Sequence, residues 1–202
     1  MTDGPTARDT IAAMPDRLYF TGDDEADALN ARDPLALLIG FALDQQVTVP
    51  TAFSGPLKLK ERLGGELDAA KIVAIDPAEL EQIFRQRPAI HRFPGAMARR
   101  VQELCAVLLE DYGGEAERVW SEATDAADLA RRIGALPGFG VMKITGLGSV
   151  LALRFGLETA ADLVPSFPCL GAVDSPESLA DYQAQKRADK AARRAQVQAA
   201  TK

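Results

Sequence analysis

Apolar positions along the chain recur mostly at intervals of three and four, the period of an amphipathic helix, and few segments alternate with period two. Asp33-Pro34 reads as a helix start, with Asp33 as N-cap and Pro34 at the first helical position. The run that follows, Leu35 to Leu43, is apolar nearly all round, so this helix should be buried on every side. Before it, Leu18-Tyr-Phe20 reads as a short strand or an apolar anchor. Thr21-Gly-Asp-Asp-Glu then places acids in the first turn of a helix through Ala26 to Ala31. After it, Thr48-Val-Pro-Thr51 starts a helix through Phe53 to Leu63, closed by Gly64-Gly65. Two short helices follow at 68–75 and 77–84, the second opened by Asp76-Pro77. Gly95 enters a long amphipathic helix to Asp111, with Met97, Val101, Leu104, Cys105, Leu108 and Leu109 on one stripe. Val119-Trp120 reads as a core anchor, and Thr124 or Asp125 caps a helix in which Leu129 and Ile133 stand four apart.

That helix meets Leu136-Pro-Gly-Phe-Gly-Val-Met-Lys143, a tight turn that feeds the apolar run Ile144 to Phe155. Beyond Gly156 the pattern weakens. Pro165, Pro168 and Gly171 mark a loop, and Asp174-Ser-Pro reads as an N-cap followed by a first-turn proline. From Leu179 the chain is a polar, alanine-rich helix carrying Lys186, Arg187, Lys190, Arg193 and Arg194. It reads either as a solvated tail or as a basic helix that touches phosphate. The expectation is an all-α chain of about ten helices. It divides into a flexible N-terminus at 1–16, a helical domain at 17–175 and a polar C-terminal helix or tail at 176–202.

Composition narrows the class. The hydrophobic fraction of 47% and charged fraction of 26% are those of an ordinary globular chain of 202 residues. No apolar run approaches the roughly 18–20 residues of a membrane span, and residues 1–16 lack the basic-then-apolar pattern of a signal peptide. A cytoplasmic setting is expected, with Cys105 and Cys169 reduced. Two cysteines and one histidine, His91, cannot build a four-cysteine cluster or a histidine-rich metal site, so no metal and no cofactor are expected. The spacing of His91 and Cys105 does not favour a catalytic pair. A net charge of −6 counts against a protein that coats nucleic acid by bulk charge, but leaves room for a local basic face. The stretch from Arg85 to Arg100 carries five arginines and no acid.

Gly138 and Gly140 stand where a positive φ or a close backbone approach is expected. A helix starting there would present free N–H groups and its positive dipole end to an anion such as phosphate. The alternative is a plain connector between two core helices. Asp44-Gln45-Gln46-Val47, directly after the buried helix, likewise reads as an exposed turn or as something held for use.

These residues carry a family likeness. Leu136-Pro-Gly-Phe-Gly, flanked by helices, resembles the helix-hairpin-helix of the HhH-GPD DNA glycosylase superfamily, the group of endonuclease III and of the adenine and alkylpurine glycosylases. Leu43-Asp-Gln-Gln-Val-Thr48 resembles that family's buried-helix-then-Gln element, closest to the alkylbase branch. Phe93-Pro-Gly-Ala-Met-Ala-Arg-Arg resembles the helix that precedes its hairpin. The likeness covers about 33 to 156. From 17 to 195 the chain is also similar to short bacterial proteins, many of them actinobacterial, labelled HhH-GPD-type base excision repair proteins. Leu18-Tyr-Phe-Thr-Gly-Asp and Ala89-Ile-His-Arg-Phe-Pro-Gly add to that match.

The resemblance implies a two-lobed helical glycosylase fold and double-stranded, damaged DNA as partner. The hairpin at Gly138 and Gly140 would bind phosphate, with Lys143, Arg99 and Arg100 adding charge contacts. Gln45 and Gln46 would fill or probe the space left by a flipped base. The family uses an Asp carboxylate against the oxocarbenium-like sugar. An ungapped count from the hairpin lands on Ala160, and Asp162, two further on, is the expected catalytic residue or else a solvated loop acid. Lyase members carry a lysine two residues after the second hairpin glycine. Met142 stands there, and Lys143 is about 100° further round the helix, so a monofunctional glycosylase is expected. The four cluster cysteines of the endonuclease III branch are absent. A non-catalytic lesion-binding protein on the same scaffold is the alternative, and an all-α protein–protein module a third reading.

Overall fold

A computed structural model describes residues 14–200. Eleven α-helices and two 3-10 turns make it up, with no strand among the described residues, so the chain is all-α as expected. The expected flexible segment 1–16 falls outside the described residues as far as residue 13. Among the described residues no helix is long and apolar enough to cross a membrane.

The second helix is the centre. After α1 (Asp24–Arg32) comes α2 (Pro34–Leu43), in which every residue from Leu35 to Leu43 is buried. Asp33 Oδ1 accepts the N–H groups of Leu35 and Ala36 at 2.9 and 3.1 Å, and Pro34 stands where no N–H donor is needed. α1, α3 (Val49–Phe53) and α4 (Gly55–Arg62) pack around it. The helix expected from Thr48 to Leu63 is therefore two. Pro56 has no N–H for the carbonyl of Ala52, and its ring would strike that carbonyl, so a new helix begins at Gly55. Phe53 packs edge-on against Phe20 and Phe41, with ring centroids 4.9 and 5.1 Å apart.

Leu18-Tyr-Phe20 is an anchor and not a strand. Leu18 and Phe20 are fully buried, and the backbone turns onto the buried Asp27. Asp27 Oδ1 accepts from Phe20 N, Thr21 N and Thr21 Oγ1 at 3.0, 2.9 and 2.8 Å. Burial pushes the Asp27 carboxyl above its ordinary range, and the Thr21 and Phe20 donors pull the other way.

α5 (Ala69–Ala74) and α6 (Pro77–Arg85) lie on the long α7 (Pro94–Tyr112), which packs on α2. Gln102 of α7 ties down the end of α5 by donating to the Ile75 carbonyl at 2.7 Å. α8 (Arg118–Ser121) brings Val119 and Trp120 into the core. Asp125 caps α9 (Ala126–Ala135), and α10 (Val141–Phe155) completes a helical hairpin with it. Two 3-10 turns, Glu158–Leu163 and Leu170–Ala172, pack on α10. α11 (Pro176–Ala200) is capped by Ser175, whose Oγ accepts the Ser178 N–H at 3.1 Å. The expected cap was Asp174. With proline at the first helical position, the residue directly before it holds the cap geometry.

The second 3-10 turn touches α10 backbone to backbone. Ser149 Oγ accepts the Gly171 N–H at 3.2 Å and donates to the Gly146 carbonyl at 2.8 Å. A Cβ on Gly171 would stand 2.2 Å from the Ser149 carbonyl oxygen. Gly171→Ala should therefore destabilise the protein by about 1–3 kcal/mol. Ala172→Ser, exposed on the same turn, should stay within about 0.5 kcal/mol. Urea unfolding followed by circular dichroism checks both.

Candidate nucleic-acid interface

The turn between α9 and α10 is built from inside. Leu136 and Phe139 are buried, and the Phe139 N–H donates to the Leu136 carbonyl at 3.1 Å. Between them Gly138 takes φ +80°, a conformation that costs an L side chain energy. The space a side chain would need is filled by α7: a Cβ on Gly138 would lie 1.8 Å from an Nη of Arg100. Arg100 thus braces the turn from below, with its Nε 3.7 Å from Glu103.

The outer side of the turn is open. Gly140 caps α10 without a side chain, and a Cβ there would meet nothing within 4 Å. Gly140, Val141 and Met142 N–H groups have no backbone acceptor among the described residues. Val141 and Met142 are 77% and 69% exposed. The first turn of a 15-residue helix, with its unpaired donors and positive dipole end, therefore faces solvent.

Behind the turn is the C-terminus of α2. A buried helix end must find partners for its last four carbonyls. Gly40 and Phe41 carbonyls accept the Asp44 N–H at 3.1 and 3.2 Å, and the Leu43 carbonyl accepts the Gln45 N–H at 2.7 Å. The Ala42 carbonyl accepts from Lys143 Nζ at 3.2 Å, across the hairpin. Lys143 is half-buried, with its amine 5.3 Å from the Phe139 ring centroid. Burial lowers its pKa to about 8; Asp44 opposes that shift and Arg100 adds to it.

Gln45 and Gln46 turn away from α2 directly over this point. Gln46 has φ +56°, the one positive φ outside glycine among the described residues. The turn is clamped by the chain's single histidine. His91 is buried; its Nδ1 accepts the Phe93 N–H at 3.0 Å, so its Nε2 carries the proton and donates to the Gln45 carbonyl at 3.1 Å. Burial holds the imidazole below its ordinary pKa, and hence neutral. Next to it, Arg92 stacks 4.7 Å above the half-exposed Phe93 ring. On the other flank Asp44 stands 4.0 Å from Lys186 of α11, and Lys186 lies 5.4 Å from the Tyr182 ring. Burial, with Asp44 and Cys169 nearby, pushes the Tyr182 hydroxyl to about 12.

The structure therefore brings together Gln45, Gln46 and Lys143 at the end of α2, and Gly138, Gly140 and Arg100 at the hairpin. Lys143, expected as a phosphate contact, points its amine inward at a carbonyl. Arg99, one residue before Arg100, is exposed on another face of α7 beside Pro77, Gln102 and Glu103. Asp162 is exposed on the first 3-10 turn and makes no hydrogen bond or ion pair among the described residues. Ala160, on the same turn, is fully buried. Asp44, His91, Tyr182 and Lys186 complete the neighbourhood; of these the sequence pattern pointed to Lys186, on the basic helix, and to Asp44, before the glutamine pair, and gave no role to Tyr182. Asp44 and His91 also sit inside stretches that carry the family likeness. Among the described residues no group of three or more His, Cys, Asp or Glu is placed to hold a metal ion. Comparison with protein-family models, with curated proteins and with solved structures gave no match.

Lys143 offers a direct test of this geometry. Its amine should titrate near pH 8, measured by NMR of the reductively ¹³C-methylated protein. Asp44→Asn should lower that midpoint and Arg100→Gln should raise it. Between about 8 and the ordinary 10.5 the unfolded chain holds a proton here that the folded chain has lost, so this group's contribution to stability rises with pH across that window.

Proposed function

We propose that this chain engages damaged duplex DNA through its α9–α10 hairpin, on a two-lobed scaffold of the HhH-GPD glycosylase type. We further propose that it hydrolyses the N-glycosidic bond of a damaged base, as in base excision repair in the cytoplasm. The observation that carries the reading is a juxtaposition. An open helix N-terminus at Gly140–Met142 and the left-handed Gln46 both adjoin the end of α2.

In this reading the hairpin N–H groups hold a backbone phosphate without regard to sequence. The Gln45-Gln46 turn, fixed by His91, enters the stack where a base has swung out. Arg92 and Phe93 give it a cationic and aromatic flank. For base removal, the base departs with the glycosidic electron pair and takes up a proton, a carboxylate steadies the cationic sugar left behind, and water then adds at C1′ and gives up a proton. Asp162 is the residue proposed for that role, its carboxylate uncommitted to any protein partner among the described residues. Met142 at the lyase-lysine position, and a Lys143 amine held on the Ala42 carbonyl, favour hydrolysis without strand cleavage.

A second reading has its own observation. The ungapped position of the family carboxylate, Ala160, is apolar and fully buried, which favours lesion binding without chemistry. Duplexes carrying uracil, hypoxanthine, 3-methyladenine or an oxidised purine separate the two. Under the first reading one of them releases its base, and Asp162→Asn slows release at least about 100-fold while binding persists. Tight lesion binding with no release selects the second. Met142→Glu, which sets a negative charge beside the hairpin donors, should weaken duplex binding under both, by about tenfold. Absence of salt-dependent DNA affinity in the unsubstituted protein would sink both.

A further inference from the structure

α11 changes character along its length. Its first two turns are packed: Leu179 is buried, and Tyr182 and Gln183 are half-buried. From Ala184 onward its described side chains are exposed. Spacings of three and four carry the inward line from Leu179 through Tyr182 to Lys186. Lys186 is where that line meets the site, 4.0 Å from Asp44. One and two turns further, the same line reaches Lys190 and Arg194, with Arg187 beside it. The face that is apolar over the protein body thus becomes basic where the helix runs past it. The acids Glu177, Asp181 and Asp189, spaced by four and eight, share a different face. Among the described residues Arg187, Lys190 and Arg194 form no ion pair, although the chain as a whole carries a net charge of −6.

We propose that this stripe, Lys186, Arg187, Lys190 and Arg194, is a second DNA contact that lies along the phosphate backbone beside the Gln45-Gln46 turn. It rests on the DNA reading of the hairpin and extends it. From Lys186 to Arg194 the stripe is about 12 Å long, enough to meet two or three successive phosphates of a duplex. The Lys186–Asp44 contact ties the start of the stripe to the residue that directly precedes the glutamines. Charge complementarity selects the occupant: four cations on one line, next to a hairpin that offers anion-binding donors, fit a regular polyanion that covers both.

The test measures binding of a fluorescein-labelled 20-base-pair duplex by the full chain across a KCl series. The variant is Arg187→Gln/Lys190→Gln/Arg194→Gln, whose positions are exposed, so circular dichroism and melting should match the unsubstituted protein. The slope of log K against log salt should flatten by about 2–3 in this variant, since each phosphate contact contributes about 0.9. Affinity at 0.1 M KCl should fall about tenfold or more. Lys186→Gln, which frees the helix from Asp44, should also weaken binding. An unchanged slope in the triple variant, with the unsubstituted protein binding DNA, overturns the stripe and leaves the hairpin reading standing. No duplex binding by the unsubstituted protein overturns both, whereas a stripe that binds phosphatidylserine vesicles and not DNA overturns the stripe alone.

Discussion

A helix buried on all sides has to satisfy its own end, and much of this molecule follows from how α2 does so. Sequence makes the helix apolar from Leu35 to Leu43, which leaves no polar face through which water could reach its last carbonyls. Three of the four are closed locally by the tight return of Asp44 and Gln45. The fourth, at Ala42, is closed by an amine that arrives from residue 143. That bond ties the first turn of α10 to the core helix, alongside the buried Leu147, Val150 and Leu151 of α10. The same return throws Gln46 into a left-handed conformation, which His91 then secures by taking the Gln45 carbonyl. The hairpin and the glutamine turn are neighbours because both are anchored to one helix end.

The demand on Lys143 has an electrostatic side. A half-buried ammonium next to Arg100 is disfavoured, and the Ala42 carbonyl and Asp44 only partly restore it. An apolar side chain there would leave the Ala42 carbonyl without its donor. The lysine instead makes a polar link between core and hairpin. The Arg100 side chain completes the arrangement from the other side, lodged where Gly138 has no Cβ.

Sequence pattern made the helices legible because the forces that shape them are local. Asp33-Pro34, Asp76-Pro77 and the Thr124-Asp125 pair signal helix starts through hydrogen bonds within four residues; the first two cap as read, and at the third the cap is Asp125. The break at Ser54 is hard to read in the sequence because Thr48-Val-Pro is a strong start signal that masks Gly55-Pro56 as a second one. At the site, Gly138, Gly140 and the glutamine pair could be singled out from their neighbours alone. The fate of Lys143 could not: helical spacing tells which way a side chain leaves its helix, while the carbonyl it meets is 101 residues away in the chain. The partners of His91 and Lys186 were illegible for the same reason, since Gln45 and Asp44 belong to another helix end.

These contacts also decide where attraction for an anion can come from. The amine nearest the hairpin is spent on the fold, and Arg100 is wedged beneath the turn with Glu103 at hand. What the hairpin itself offers outward is backbone donors and a dipole, which give orientation at short range and fade within a turn. In a chain of net charge −6, such a site gains little from long-range steering. A cationic element elsewhere must supply it if a polyanion is to be drawn in. α11 is the part of the molecule where cations gather on one line, and it is pinned to Asp44, one residue from the glutamines. The acidity of the whole and the basicity of that helix thus belong to one arrangement, in which short-range donors and longer-range charge are carried by separate elements that meet at the end of α2.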